Sequence, residues 1–576
     1  MKRIRIFTFL VYLLLLIFAP GLANAHKLNV FAWVKGDMVY VESKLSGGKK
    51  IKQGRFIIYD QQGNNILEGI TDDDGEFSFR VSRKTTLKIV VIAGTGHKGE
   101  WTVPAEIFED SAEKPVELES IIIMGRKIEE RLSGELADFG HQVEIITGKE
   151  IEEAGFVDIN QALEVLVPGL FISVKGGRGD YATARLHGGA QILWLLDGVR
   201  LNNRLYGSGY MDTISVKMIE RIEILKGGES LFYGTDAASG VINIITKSVS
   251  ERTPGEVDFS CGSYDYQGVS GYAADTFYGH EVLFFGGYES WDGYQLFSDK
   301  AHERVGNFMN KKHGFDRNTL GAKYRKVIDF LGTATLNMHL QRNKGEFDFN
   351  ELQDTWAIND RTEDIAFLKW DHDISDNFSY YVKSYLHRWW TYHTRQEPDG
   401  TFVDYESEWG YEDSGVNLMG SFRFCEGHEI LLGGDYQNYW AKDDVWHINN
   451  KREVVNALFA EYRPYISILP RTRMAVGGRY NQTDEYDKAV YHASLKTFMI
   501  GDTYIRAMAG TSFRLPTAEQ LFLDEEDAKG NPYLEPEESI NIDAGFGGNL
   551  SIFSWDLGYF YRKIKDQRFS RLCERL

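Results

Sequence analysis

Cysteine, basic charge and long apolar runs are all scarce in this chain of 576 residues. The three cysteines, Cys261, Cys425 and Cys573, are far apart and odd in number, so no disulfide framework is expected. The formal net charge of −20 argues against a nucleic-acid partner, because phosphates would be repelled. After residue 25 no stretch offers about 18 consecutive apolar residues, so the mature sequence predicts no helical membrane span.

The first 25 residues have the features of a secretory signal. Basic residues precede an apolar run from Ile6 to Phe18, and Ala23-Asn24-Ala25 provides a cleavage site of the AxA kind. A transmembrane anchor, the alternative, would need a longer apolar run. The mature chain is therefore predicted to be exported and to begin at His26.

The abundant residues favour a mainly β protein. Aromatic residues make up 14% of the chain and glycines number 58, against only 11 prolines, a composition that suits long antiparallel strands with aromatic girdles. Within residues 26–118, short alternating segments such as "MVYVESKL", "GRFIIYD" and "EFSFRV" are separated by turn sequences such as "DQQGNN" and "DDDG". This pattern predicts a small antiparallel β-sandwich.

Two resemblances concern this N-terminal region. The segment "GRFIIYDQQGNNILEGITDDDGEFSFRV" resembles carboxypeptidase regulatory-like domains. The stretches "AHKLNVFAWVKGDMVYVES" and "VIAGTGHKGEW" are similar to small exported domains of nickel and cobalt uptake systems. That resemblance implies His26, His97 and Glu100 as ligands for Ni²⁺ or Co²⁺, which amine and imidazole nitrogens suit. The alternative is that His26 is a plain chain terminus and His97 a loop residue.

Residues 143–250 contain several motifs in a fixed order. The chain runs "VEIITGKEIEEAGFVDINQALEVLVPGLFIS", which predicts strand, helix, helix and strand, with Pro168-Gly169 ending the second helix. It continues with "RLHGG", "LLDGV", "IERIEILKGG" and "SLFYGTDAASGVINIITK". In this order the motifs resemble the plug domain of TonB-dependent outer-membrane receptors, which implies an α+β plug over residues 136–250. The matching residues include Arg185, Gly188, Asp197, Gly198, Glu220, Arg221, Glu223, Gly227, Gly234 and Gly240.

The resemblance also assigns roles to charged residues and to the segment before the plug. By position, Glu119, Ser120, Ile121, Ile122, Ile123 and Met124 match a TonB box, the segment that pairs with the TonB energy-transducing protein by β-augmentation, within a box and linker spanning 119–135. Arg221 with Glu220 and Glu223 is expected to make breakable charged contacts between plug and barrel wall. Glu229, in contrast, is expected at a solvated sheet edge.

Residues 251–576 have the pattern of a transmembrane antiparallel β-barrel. Segments of about ten residues alternate apolar and polar side chains and end in Asn, Asp or Gly turns. "GTSFRLPTAEQLF" and "NPYLEPEESINIDAGF" resemble two recurrent stretches of the receptor barrel. The length allows roughly 14 to 16 strands, against about 22 for plugged transporters of this kind, and the chain stops at "RFSRLCERL". We therefore expect an incomplete barrel from a truncated reading frame.

These features predict a non-enzymatic receptor of the Gram-negative outer membrane. The family's mechanism needs no covalent chemistry and no cofactor, and the sequence contains no GxSxG, HExxH or P-loop motif. Its expected partners are TonB, outer-membrane lipid and a metal or metal-chelate substrate, with nickel or cobalt indicated by the N-terminal region. Cobalamin, ferric siderophore and haem are alternative cargoes, and a glycan-type receptor with an N-terminal docking module is another class. His387 and His393, beside "RWWTY", are expected in a barrel strand or loop, where a girdle or loop role is favoured and a metal-chelate site is the alternative.

Overall fold

The structure is a computed structural model with two compact units, Met1–Ile121 and Ile122–Leu576. Each unit contains its own buried hydrophobic core. The structure describes residues 28–35, 38–45, 54–60, 65–72, 76–81, 86–92, 98–103, 128–156, 158–174, 182–211, 213–249, 255–295, 312–351, 355–375, 377–425, 427–469, 471–499, 501–525, 529–550 and 553–565.

The described part of the first unit contains two antiparallel sheets around one core. Its seven strands are β1 (Leu28–Lys35), β2 (Met38–Leu45), β3 (Arg55–Tyr59), β4 (Asn65–Ile70), β5 (Glu76–Arg80), β6 (Leu87–Ile92) and β7 (Lys98–Val103). One sheet has the order β1-β2-β5 and the other β4-β3-β6-β7. Val39 and Val41 from the first sheet pack with Ile58 and Ile89 from the second in one buried cluster, which confirms the predicted sandwich.

Strand β7 was not among the segments predicted from sequence. In "KGEWTV" only Trp101 and Val103 are apolar, so the alternation is too short to indicate a strand by itself. The strand forms because its backbone pairs with β6, in a register that sets Val103 opposite Leu87. Pairing with the apolar strand β6 therefore stabilises β7, whose own sequence does not indicate a strand.

Residues 128–249, the plug segment, fold as an α+β unit. Its five-stranded sheet has the order β12-β11-β14-β13-β8, with β11 and β14 parallel, and β9 pairs with β10 separately. Its described helices are α1 (Ile128–Asp138), α2 (Gly148–Glu153), α3 (Ile159–Leu166) and α4 (Ser230–Tyr233), with a 3₁₀ turn at Val216–Met218. Its strands are β8 (Gln142–Thr147), β9 (Leu170–Val174), β10 (Ala182–Leu186), β11 (Ile192–Leu196), β12 (Val199–Arg200), β13 (Ile219–Lys226) and β14 (Gly240–Thr246).

Local sequence explains the start and end of the plug helices. Thr147 caps α2 in a capping box, accepting the Glu150 N–H while the Glu150 carboxylate accepts the Thr147 N–H at 2.7 Å. Gly169, at φ +84°, allows the turn after α3 that other residues would resist. The strand, helix, helix and strand predicted for this stretch are confirmed. Helix α1, however, begins at Ile128, inside the range 119–135 predicted as TonB box and linker.

The described residues after 254 form one continuous antiparallel sheet of fifteen strands in chain order, which we call the large sheet. This count lies within the predicted 14 to 16. Helix α5 (Ala518–Phe522) lies in the connection between β27 and β28. The strands are β15 (Gly255–Gly262), β16 (Tyr266–Phe277), β17 (His280–Gln295), β18 (Lys312–Asp329), β19 (Thr333–Glu351), β20 (Thr355–Ser375), β21 (Phe378–Gln396), β22 (Phe402–Phe424), β23 (His428–Asp443), β24 (Ile448–Arg463), β25 (Thr472–Gln482), β26 (Asp487–Phe498), β27 (Tyr504–Arg514), β28 (Glu537–Leu550) and β29 (Phe553–Lys565).

Side chains alternate between the two faces of the large sheet. On β21, Tyr385, His387 and Trp389 are buried on the face toward the plug segment, whereas Arg388 between them is exposed. The opposite face carries exposed apolar residues, including Leu340, Leu368, Val416, Leu418 and Tyr436. This alternation is the one expected when one face meets lipid and the other encloses protein.

The connections between strands distinguish the two ends of the large sheet. Residues 278–279 and 330–332 make short turns at one end, whereas helix α5 belongs to a longer connection at the other. Barrels of this type place longer loops on the extracellular side, so we call the second the outer end. Within the described ranges, no helix is both long and apolar enough to cross a membrane.

Candidate functional site

Several residues predicted for partner and metal binding lie outside the described residues. These are His26, His97 and the TonB-box residues Glu119, Ser120, Ile121, Ile122, Ile123 and Met124. Glu100 lies on β7, and its side chain is not described. Among described side chains, no group of three or more His, Cys, Asp or Glu residues is arranged to hold a metal ion.

Asp197 from the "LLDGV" motif joins the plug segment to the large sheet. It lies in the turn between β11 and β12, where its carboxylate accepts the Thr246 N–H at 2.8 Å and the Thr246 hydroxyl at 2.6 Å. The second oxygen lies 3.0 Å from Lys323 Nζ and 3.0 Å from His339 Nδ1, both on the large sheet. Burial by itself would raise the pKa of Asp197, but Lys323 and the hydrogen bonds hold that pKa well below its usual value.

Gly198, the next residue, lies where plug and sheet come closest. A Cβ at this position would lie 2.7 Å from Glu129 Oε1 and 2.7 Å from Lys383 Nζ. Glu129, in the first turn of α1, pairs with Lys383 of β21 and lies 3.0 Å from Lys369 Nζ of β20. The φ of +74° favours glycine here, and any side chain would also displace the tips of this ion pair.

Helix α1 is held to the large sheet at its other end too. Glu135 Oε2 lies 2.9 Å from Arg463 NH1 on β24. Lys496 on β26 donates to the Ala137 carbonyl oxygen at 3.1 Å. The helix that directly follows the predicted TonB box thus has charged contacts to the sheet in both its first and last turns. This helix was not predicted, although Ile128, Leu132 and Leu136 lie at helical spacing in "IEERLSGELAD".

The charged cluster on β13 makes contacts within the plug segment. Arg221 pairs with Glu220 at 2.8 Å and with Glu223 at 2.5 Å, both on its own strand. Glu223 also accepts a hydrogen bond from the Ser133 hydroxyl of α1 at 2.6 Å. These partners belong to the plug segment, and the Ser133 contact fastens α1 to the plug sheet. Contacts between this cluster and the barrel wall stay a prediction.

Glu229 was expected at a solvated edge, and the structure shows this to be wrong. Its carboxylate is 1% exposed and lies 2.7 Å from His141 Nδ1. The His141 ring lies 4.8 Å from the ring of His492 on β26, which in turn approaches Glu461 on β24 at 3.5 Å. Burial by itself would lower the pKa of His141, but the Glu229 carboxylate raises it above its usual value. A plug carboxylate and two histidines thus meet at the plug–sheet boundary.

The remaining motif residues lie in turns, at close contacts or on the surface. Arg185 is exposed on β10, and Gly188 is exposed in the turn that follows it, at φ +77°. Gly227 ends β13 beside Met508, and Gly234 follows α4 with Arg479 against it. At Gly240 a side chain would collide with the Leu225 carbonyl of the neighbouring strand.

An aromatic cluster that sequence analysis did not predict covers the plug apex, the loop of residues 202–211. Tyr210 stacks on Trp389 with ring centroids 4.9 Å apart. Tyr206 meets Trp409 and Trp446 edge-on, at 5.3 Å and 5.0 Å. Trp446 lies in the connection between β23 and β24, so the cluster is at the outer end of the large sheet.

Two cavities flank this apex. One, of about 140 Å³, is lined by apex residues 206–211 together with Trp194, Asn202 and Arg514. The other, of about 120 Å³, is lined by residues that include Arg204, Tyr439, Lys451, Tyr486 and Phe522. Both offer aromatic surface beside arginine donors, a lining that can contact the planar and polar parts of a ligand.

His387 and His393 lie on strand β21, which confirms the expected barrel strand, but they are buried on its inner face, so the girdle or loop role is wrong. His387 is 1% exposed, with ring nitrogens 2.8 Å from the Arg200 carbonyl oxygen and 2.8 Å from Glu363 Oε1. Glu363 also accepts from Thr213 of the plug segment at 2.6 Å. His393 is buried beside Asn359 Oδ1 at 2.8 Å. These contacts make His387 part of the plug–sheet boundary.

Comparison with known proteins places these features in a family context. The model "TonB-dependent Receptor Plug Domain" matches residues 135–241, and "TonB dependent receptor-like, beta-barrel" matches residues 265–573. The vitamin B12 transporter BtuB of Vibrio vulnificus is 26% identical over 469 residues, covering 77% of this chain and 70% of that protein. BtuB of Photobacterium profundum is 24% identical over 80% of this chain and 72% of its own length.

Solved structures share the fold at low sequence identity. The siderophore receptor PirA from Acinetobacter baumannii superposes with a TM-score of 0.64 at 16% identity, covering 77% of this chain and 72% of that one. A mutant of the ferric enterobactin receptor PfeA from Pseudomonas aeruginosa gives a TM-score of 0.63 at 16% identity, over 75% of this chain and 72% of that one. These likenesses concern the arrangement of plug and strands.

Proposed function

This chain belongs to the TonB-dependent receptors of the Gram-negative outer membrane, and we propose that it takes up a cobalamin-type ligand by active transport. In this proposal the ligand binds at the plug apex from the outer side. Energy supplied by TonB at the predicted box, Glu119 to Met124, then displaces part of the plug segment. The cargo and the TonB contact are both parts of the proposal.

The aromatic cluster at the plug apex is the observation that carries the proposal. Tyr206, Tyr210 and Trp389 lie where the plug meets the outer strand ends, beside two cavities with arginine in their lining. A corrinoid offers a broad planar ring and many amide groups, which aromatic faces and arginine or asparagine donors recognise well. The vitamin B12 transporters that are similar over 77% of this chain support the same cargo.

The helix contacts support energy transfer from the predicted box. Helix α1 begins four residues after Met124 and is held to the large sheet by Glu129 and Glu135. A pull on the box therefore reaches these ion pairs first. Charge-assisted bonds of this kind hold a resting seal and can still break under load.

Nickel or cobalt is the second candidate cargo. It is favoured by the histidine predicted to open the mature chain and by His97 in its glycine-flanked loop, both outside the described residues. Ferric siderophore and haem rest on plug and barrel motifs common to the wider family, whereas a glycan-type docking role rests on the N-terminal sandwich. Only direct binding measurements separate these cargoes.

Binding and uptake of cyanocobalamin by the full chain test the proposal. Cells that depend on this chain for the vitamin are expected to bind it at the surface and to accumulate it only when TonB is present. In parallel, Ni²⁺ and Co²⁺ binding to the purified mature chain is compared with that of His26→Ala and His97→Ala. Cobalamin binding without metal binding supports the first cargo, and metal binding lost in both variants supports the second.

A further inference from the structure

Helix α5, in the connection between β27 and β28, is completed by the plug. The first N–H groups of a helix have no partner within the helix and must be satisfied from outside. Here the Ala518 N–H donates to the Arg204 carbonyl at 2.9 Å, and the Glu519 N–H donates to the Leu205 carbonyl at 3.0 Å. Thr517 and Gln520 add a capping box within the loop itself. The outer loop thus begins its helix on the backbone of the plug apex.

The Arg204 side chain fastens the same loop from the opposite direction. Its guanidinium donates to the Leu515 carbonyl at 3.3 Å and to the Pro516 carbonyl at 2.8 Å. It also donates to Glu453 Oε2 of β24 at 3.1 Å and 2.7 Å. The Arg204 side chain is only 5% exposed. Its N–H groups are therefore satisfied by these three acceptors of the large sheet and its loop in place of water.

The apex loop that carries Arg204 is internally braced. Asn203 Oδ1 accepts the Tyr206 N–H at 2.6 Å, and its amide donates to the Ser208 carbonyl at 2.8 Å. Asn202 joins this loop to β11: its side chain accepts the Trp194 N–H at 2.7 Å and donates to the Ile192 carbonyl at 2.9 Å. Hydrogen bonds therefore link residues 515–519 to the apex loop, and further hydrogen bonds link the apex loop to β11.

Each of the two cavities is lined both by the plug apex and by the large sheet or its outer loop. Tyr206, Gly207 and Arg514 line the first, and Arg204, Pro516 and Ala518 line the second. An occupant of either cavity touches groups on both sides of the junction between plug and loop. Occupancy at the outer end can thus change how firmly the loop and the plug apex are held together.

We propose that Arg204 is a positioning residue for transport, which couples the outer loop of residues 515–523 to the plug apex and through Asn202 to the plug sheet. This inference rests on the proposed function only for the identity of the cargo. The coupling itself is a property of this chain's own contacts, and it predicts separate effects on binding and on transport.

Hydrogen exchange on the purified full chain tests the coupling without any ligand. Glu453→Gln alters only a sheet residue, yet it is expected to speed exchange at the amides of residues 204–207 in the plug by about tenfold, the size of a typical coupling between sites. Lys217→Gln removes a different plug–sheet pair, Lys217–Asp258 at 3.1 Å, and serves as the matched control. Its exchange at residues 204–207 is expected to match that of the wild type.

Cyanocobalamin provides the second readout. Arg204→Gln is expected to reduce uptake by about tenfold while equilibrium binding to energy-depleted cells changes by less than about threefold. Unchanged exchange at 204–207 in Glu453→Gln would overturn the coupling, as would equal losses of binding and uptake in Arg204→Gln. If the wild-type chain does not bind cyanocobalamin, the proposed cargo fails, and the exchange result still decides the coupling.

Discussion

Glu129 of helix α1 and Lys383 of β21 form an ion pair in which the lysine side chain is only 1% exposed. Lys369 Nζ of β20 lies 3.0 Å from the second oxygen of the same carboxylate. One plug carboxylate therefore serves two cations of the large sheet. Because α1 begins four residues after the predicted TonB box, we propose that this pair helps to resist a pull on the box.

Removal of this carboxylate is expected to loosen the plug. Glu129→Gln leaves the buried Lys383 ammonium with the Gly198 carbonyl oxygen and no carboxylate, while Lys369 keeps Asp371 at 3.2 Å. We therefore expect the free energy of unfolding to fall by about 3 kcal/mol. Chemical denaturation of the purified chain in detergent measures the change. Glu153→Gln is the control, because its pair with Lys149 is 67% and 79% exposed and contributes about 0.5 kcal/mol or less. Equal effects of the two variants would contradict a special role for Glu129.

The His141–Glu229 pair is expected to make stability depend on pH. The pKa of His141 is raised in the folded chain, so the folded chain holds this proton more tightly than the unfolded chain does. Its contribution is therefore complete at low pH and is lost as the pH rises through the raised pKa. We expect the difference in melting temperature between wild type and His141→Gln to be largest near pH 6 and to shrink by about pH 9. A difference that grows with pH would refute this assignment.

The carboxyl group of Glu519, in helix α5, is expected to change stability with pH in the same direction as His141. Burial raises its pKa to about 7, with Asp443 adding to the shift and Arg514 opposing it. The folded chain then binds this proton more tightly than the unfolded chain, so stability falls as pH rises from the group's ordinary value through about 7. Glu519→Gln should raise the melting temperature by about 1–3 °C at pH 8 and leave it unchanged near pH 4. A gain of the same size at both pH values would argue against titration of Glu519.

The predicted TonB box is tested by proline substitution. A proline removes the backbone N–H that strand pairing needs and fixes φ. Ile122→Pro is expected to abolish energised uptake while surface binding of the cargo stays at the wild-type level. Ile122→Val keeps the N–H and should transport normally. Full uptake by the proline variant would place the TonB contact elsewhere in the chain.

Some interactions could not be predicted from local sequence. Glu229 reads as a solvated edge residue, yet His141, 88 positions away, buries it. Arg204 gives no local signal, because its acceptors Glu453 and Pro516 lie 249 and 312 positions along the chain. The seventh strand, β7, is visible only once β6 is beside it. In each case the partner comes from a distant segment, and periodicity describes only near neighbours.

The sequence by itself determined the mainly β class, the order of plug motifs and the predicted 14 to 16 strands. Alternation, turn chemistry and capping act over a few residues and can be read directly. The tertiary structure alone decided which polar groups meet. Glu129 pairs with the lysines of β20 and β21, His387 contacts the plug backbone, and the plug apex contacts helix α5. Buried polar groups must find partners when water is excluded, and only the folded chain brings those partners within reach.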